Sequence, residues 1–226
     1  MSEFDGRIVV ITGAAGALGS AAAVHFAAAG ATPALLDVVE IAGPHYSRVC
    51  DLTDAAACRA AVAAIEQEVG AIDVLANIAG GFAMGEAVHE TKPETWDFLM
   101  ALNAHSVLNM ARAAVPGMLA RGHGRIVNIG AGPGQHGAAR LGAYSASKSV
   151  VIRLTESMAG ELREHGINVN CILPSVIDTP ANRQAMPDAD FDKWVKPEAL
   201  AKVIAFLASD AAAPIHGAAL PVTGLS

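Results

Sequence analysis

Aromatic side chains make up only 4% of the chain and charged ones only 16%. So few aromatics argue against a stacking platform for single-stranded nucleic acid. The formal net charge is −7, and no basic run is present. That excludes the phosphate-neutralising footprint of a nucleic-acid binder. Cysteine is scarce as well. Cys50, Cys58 and Cys171 are odd in number and follow neither a CxxC nor a zinc spacing, so they read as reduced thiols. The eight histidines form no HxxxH or HExxH pair, and no metal site is expected. Long apolar runs are missing too. The longest, over 21–36, is interrupted by His25, Gly30 and Pro33. It cannot be the ~20-residue run that spans a bilayer, and no membrane partner is expected. The opening six residues are acidic and lack the basic region of a signal peptide, so a cytoplasmic location is expected.

Hydrophobic residues, at 53% of 226, exclude a disordered chain. The length suits one domain over 1–226. Short apolar runs alternate with helical patterns. Strands are predicted over 7–12, 34–37, 47–50, 72–76, 124–129, 167–173 and 218–222. Helices are predicted over 17–29, from Asp54 toward Gly70, over 93–121, 144–164 and 198–208. Asp54 reads as an N-cap, and Pro93 suits a first helical turn. The strands are continuously apolar, as strands covered on both faces are. The fold class is therefore α/β, a Rossmann-type doubly wound parallel sheet of about seven strands with helices on both faces. Ligands of such sheets sit beyond the carboxyl ends of the strands.

The turn Thr12-Gly13-Ala14-Ala15-Gly16-Ala17-Leu18-Gly19 joins the first strand to the first helix. Small residues there let the backbone approach a pyrophosphate, and the helix N-terminus offers free N–H groups. Asp37 ends the second strand, where a carboxylate can accept hydrogen bonds from adenosine ribose hydroxyls and repel a 2′-phosphate. Val38 follows, where an arginine could have accepted that phosphate. NAD(H) is thus preferred over NADP(H). Tyr144 and Lys148 are four residues apart, which puts them on one helix face. A neighbouring ammonium is expected to lower the tyrosine pKa from about 10 and fit the pair for acid–base work.

The glycine turn, Asn77-Ile78-Ala79-Gly80, Asn103 and Tyr144-x-x-x-Lys148 in this order resemble the short-chain dehydrogenase/reductase superfamily. The resemblance covers essentially the whole chain and implies hydride transfer between a nicotinamide cofactor and a small-molecule substrate. It implies that Tyr144 is the acid/base, that Lys148 binds the nicotinamide ribose and that Asn103 holds a water of the proton relay. Gly13, Ala17, Leu18, Gly19, Asp37, Ala79 and Gly80 would contact the cofactor, with Asn77 bracing the central strands. Asp51 and Leu52 match adenine contacts. Pro174, Ile177 and Thr179 match the segment that grips the carboxamide. The superfamily's helices implied here for dimer contacts predict a homodimer or homotetramer.

Three positions depart from the pattern. Ala131 stands where the family has a serine that helps polarise the substrate carbonyl, Ala17 where it has a glycine, and Ser175 where a glycine usually follows Pro174. Alanine at the serine position also occurs in the dihydropteridine reductase branch. Gly16–Ser20, Asp37-Val38-Val39-Glu40, Ala79-Gly80-Gly81 and the segment from Leu173 to Trp194 resemble that branch. A dihydropteridine reductase-like activity is therefore expected first. The alternatives are a carbonyl reductase or alcohol dehydrogenase of the 3-oxoacyl type, with a backbone N–H or Gln135 replacing the serine, and a catalytically silent NAD(H)-binding sensor. His136 and Trp194 are further candidates for the substrate cleft, Trp194 with Phe191 as a lid.

Overall fold

The computed structural model describes residues 3–226. Seven parallel strands form one sheet in the order β3-β2-β1-β4-β5-β6-β7. They are β1 (Ile8–Thr12), β2 (Thr32–Asp37), β3 (Tyr46–Val49), β4 (Ile72–Asn77), β5 (Gly124–Ile129), β6 (Ile167–Pro174) and β7 (Ala219–Val222). The helices are α1 (Ala17–Ala28), α2 (Ala55–Glu68), α3 (Pro93–Leu99), α4 (Ser106–Arg121), α5 (Gly142–Leu162), α6 (Pro180–Ala185) and α7 (Pro197–Ala208).

Strand side chains alternate between the two faces, so an all-apolar strand fills two cores. In β1, Val9 and Ile11 join the core under α1 and α7, with Phe26 and Ile204. Ile8 and Val10 join the opposite core under α2, α4 and α5, with Ile65, Met110 and Leu162. Helices cover both faces, as the continuous apolar pattern predicts. β3 is the exposed edge strand and begins one residue earlier than expected, at Tyr46. Its apolar signal is weak because it pairs on one side only. No helix among the described residues is long and apolar enough to cross a membrane.

Two elements differ from the sequence reading. The helix expected over 93–121 is three pieces, because a π-helical segment, Met100–His105, separates α3 from α4. The extra residue of a π turn shifts the register without erasing the apolar period. The short helix α6 was not expected. Its signal was present in Thr179-Pro180: the Thr179 hydroxyl accepts a hydrogen bond from the Asn182 amide at 3.2 Å, and proline occupies the first helical position.

The chain runs outward from β1 to β3, then crosses back to β4 beside β1. That reversal leaves a crevice beyond the carboxyl ends of β1 and β4.

Candidate active site

A cleft of about 540 Å³ occupies the crevice. It is lined by Gly13, Ala17, Leu18, Gly19, Asp37, Asp51, Leu52, Ala79 and Gly80, all expected at the cofactor, and by Ile78 and Leu102 among others. Asn77, Tyr144, Lys148, Pro174, Ile177 and Thr179 do not line it. Ala15 and Gly16 of the turn and Val38 after Asp37 line it too, as does Cys50, which the sequence presents only as a reduced thiol.

The glycine turn is built for close approach. Gly13 has φ +65°, and a Cβ there would lie 2.8 Å from Ala79 Cα. A Cβ on Gly19 would lie 2.2 Å from the Gly13 carbonyl oxygen. α1 starts at Ala17 with no side-chain cap, so its first amides face the cleft unsatisfied and carry the helix's partial positive charge. Ala17 is exposed, and its methyl fits without displacing a neighbour. Asp37 braces the turn: its carboxylate accepts hydrogen bonds from the amides of Ala15 (3.0 Å) and Val38 (2.8 Å). Thr12, which sequence reasoning missed, ties the turn to β4. Its buried hydroxyl accepts from the amides of Ile78 (3.0 Å) and Ala79 (3.2 Å).

Beyond β3, Asp51 accepts from the Thr53 hydroxyl (2.7 Å) and amide (2.9 Å), which hold its carboxyl below the usual range. Asn109 of α4 donates to the Leu52 and Thr53 carbonyls at 3.0 and 3.2 Å and fixes this loop. The three cysteines are free and buried. Across the sheet, Asn77 donates to Asn128 at 2.9 Å and Asn128 to Thr155 at 2.9 Å, which links β4, β5 and α5.

Tyr144 and Lys148 lie in the first two turns of α5. The buried Lys148 ammonium donates to the Ile129 carbonyl at 2.8 Å. Burial lowers its pKa from 10.5 to about 8. Burial pushes the Tyr144 hydroxyl up from 10 to about 12. The expected lowering by Lys148 is not what governs this tyrosine, and no hydrogen bond joins the two among the described residues. Asn103 and Lys148 nevertheless meet at Gly80, whose Cβ would lie 2.9 Å from Asn103 Oδ1 and 3.2 Å from Lys148 Nζ.

Asn103 sits on the π segment. Its Oδ1 accepts from the Gly81 amide at 2.9 Å, and its Nδ2 donates to the Gly81 carbonyl at 3.0 Å and to Ser147 Oγ at 2.9 Å. Both N–H groups are engaged by protein, so Asn103 clamps Gly81. The π turn rotates it inward to do so.

Ala131 is buried and leads into a single 3₁₀ turn, Gly132–Gly134. Gln135 and His136 are exposed, and neither side chain hydrogen-bonds within the described residues. Trp194 is buried, its ring packed on Phe191 with centroids 4.8 Å apart. It packs beneath its segment rather than standing free over the cleft. Ile177 bridges to Val195, and the Thr179 hydroxyl is engaged as the α6 cap. Phe82, which the sequence reading did not select, meets Tyr144 edge-to-face with centroids 4.9 Å apart.

A doubly wound parallel sheet with a glycine turn at its switch point marks a dinucleotide-binding site, and the close backbone approach that Gly13 and Gly19 permit fits the pyrophosphate of a nicotinamide dinucleotide. The family model "short chain dehydrogenase" matches residues 7–190. The chain belongs to the short-chain dehydrogenase family and is an NAD(P)-dependent oxidoreductase. It is similar to D-threitol dehydrogenase of Mycolicibacterium smegmatis, with 34% identity over 98% of this chain and 93% of that one. It is also similar to the 3-oxoacyl-(acyl-carrier-protein) reductase FabG of Thermotoga maritima, with 32% identity over 98% of each. The solved structure of levodione reductase superposes with a TM-score of 0.91 at 28% identity, over 98% of this chain and 97% of that one.

Proposed function

We propose that this chain interconverts a small carbonyl compound and its alcohol with NAD(H), Tyr144 serving as acid/base. The observation that carries the reading is the meeting of the Lys148 ammonium and Asn103 at Gly80, which lines the cleft, with Tyr144 one turn before Lys148 on α5. The bound nicotinamide would supply or take the hydride. Tyr144 would give its proton to the substrate oxygen in reduction and accept one in oxidation. Lys148, oriented by the Ile129 carbonyl, would offer its remaining N–H groups to ribose hydroxyls. Asn103 would hold the Gly80–Gly81 backbone at the reacting end.

Asp37 and the uncharged Val38 beside it support NAD(H) over NADP(H), because a 2′-phosphate would face a carboxylate with no compensating cation. The strands from Ile8 to Val222 share one sheet, which supports a single domain over 1–226. Trp96 and Phe98 on α3 and Leu119 on α4 are exposed apolar side chains, which supports self-association as a homodimer or homotetramer. A cytoplasmic location goes with that reading.

The relatives named above act, by their names, on an alcohol or a 3-oxoacyl group, so the carbonyl/alcohol reading takes precedence over a dihydropteridine reductase-like one. The pterin reading retains one specific support, the buried Ala131 methyl at the position of the usual donor. A quinonoid dihydropterin is an electrophilic conjugated imine and needs less oxyanion stabilisation. NADH oxidation measured with diacetyl, a 3-oxoacyl thioester and a freshly generated quinonoid dihydropterin tests the assignment. Turnover of either carbonyl that falls about 10²-fold or more in Tyr144→Phe is the expected result. Exclusive pterin turnover would favour the second reading. NADH binding with no turnover would favour the silent sensor.

A further inference from the structure

We propose that Phe82 is a specificity-determining residue, a fixed aromatic wall that selects substrates carrying their carbonyl on a flat conjugated ring. The inference rests on the assignment of Tyr144 as acid/base and names the substrate class of that site.

Phe82 is 59% exposed although it touches Tyr144, a half-buried residue. The two rings approach at 4.9 Å and 78°, an edge-to-face contact, and Phe82 remains exposed beside the tyrosine.

The backbone holds this ring in place from both sides. Before it, Gly81 has its amide and its carbonyl both bonded to Asn103, at 2.9 and 3.0 Å. A Cβ on Gly81 would lie 2.9 Å from the Phe98 ring, so the chain passes close to that ring. After it, Gly85 and Arg140 exchange hydrogen bonds. The Gly85 amide donates to the Arg140 carbonyl at 2.9 Å, and the Arg140 guanidinium donates to the Gly85 carbonyl at 2.9 Å. Arg140 has φ +61°, the one positive value among the described non-glycine residues. Strain of that kind persists where the surroundings over-determine it. Residues 82–84 are therefore held between two backbone clamps, and Phe82 rests its ring against Tyr144. A pre-ordered aromatic ring binds a flat partner with little ordering cost.

Ala131 points to the same class. It places a buried methyl where the family's serine hydroxyl would be. Tyr144 is then left as the assigned donor to the substrate oxygen. A carbonyl made electron-poor by conjugation or by a neighbouring carbonyl needs the missing donor least. A flat cyclic α-dicarbonyl satisfies both conditions.

Isatin and diacetyl provide the test. Both are α-dicarbonyls, and only isatin carries a fused aromatic ring. The ratio of kcat/KM for isatin over diacetyl is expected to fall tenfold or more in Phe82→Ala, mainly through KM. It should be retained in Phe82→Trp and not in Phe82→Leu. Isothermal titration of isatin into protein saturated with NAD⁺ gives a readout independent of turnover. Binding should weaken tenfold or more in Phe82→Ala and persist in Tyr144→Phe. An unchanged ratio and unchanged binding in Phe82→Ala would overturn the proposal. Equal rescue by leucine would overturn it too, since apolar bulk would then suffice. So would failure of isatin to bind the wild type. Turnover that survives Tyr144→Phe while isatin binding still depends on Phe82 would instead count against the acid/base assignment alone.

Discussion

Lys148 is the residue whose chemistry burial alters most usefully. Its folded pKa lies near 8, below the ordinary 10.5. Below pH 8 both the folded and the unfolded chain hold the proton, and the cost of the buried ammonium is constant. Between about 8 and 10.5 the unfolded chain binds more protons, so stability rises with pH. Tyr144 acts in the opposite sense, but only between 10 and about 12, where the folded chain keeps a proton that the unfolded one has lost. Urea midpoints should therefore rise from pH 8 to 9.5 in the wild type, and less so in Lys148→Met. At Ala131 the expected gain is chemical. A hydroxyl donor at such a position is worth about 10²–10³ in rate. Ala131→Ser should raise kcat/KM for an unactivated ketone by about tenfold or more, and raise it less for isatin, in steady-state assays.

Among the elements, the glycine turn and α1 work as one unit. The turn was legible because small residues at fixed offsets after a buried strand have few other uses. The same signal did not reveal Thr12, since a threonine at a strand end is common. Only the structure shows its hydroxyl receiving two amides from the β4 loop. Gly19→Ala would force a methyl into the Gly13 carbonyl. NADH binding, followed by fluorescence titration, should be lost, and the melting temperature should drop. Ala17→Gly is the contrasting case. The position is exposed, and glycine near a helix start costs at most about 1 kcal/mol. NADH affinity should change by less than about threefold. The π segment was not legible at all. A helical apolar period looks the same with one residue added, yet that residue decides whether Asn103 faces Gly81.

At the scale of the whole molecule, Asp210 closes the amino-terminal end of the sheet. It meets Arg7 at 2.6 Å and Arg125 at 3.3 Å, residues far apart in sequence. The Arg7 hydrogen bond is the main cause of its lowered carboxyl pKa. The contribution is therefore present above the ordinary value of 3.8 and fades as pH falls below it. Asp210 is 68% exposed while the Arg125 side chain is 9% exposed. Solvent screens the pair, so Asp210→Ala should cost about 1 kcal/mol and lower Tm by about 2–4 °C in calorimetry near neutral pH.

The sequence by itself determined the sheet, its parallel sense and the cradle for the cofactor. Those depend on local patterns: continuous apolar runs, a glycine turn after the first of them, and a carboxylate ending the second. The Tyr144–Lys148 pair was legible by its spacing on one helix. What only the tertiary structure decided are the contacts between residues distant in the chain. Asn103 clamps Gly81, burial raises the Tyr144 pKa, and Trp194 packs on Phe191. The exposed Phe82 ring comes to rest against Tyr144 because Gly81 and Gly85 are each tied to another part of the fold. No single-sequence pattern encodes such pairings, because their geometry exists only once the strands have set the distances between the loops.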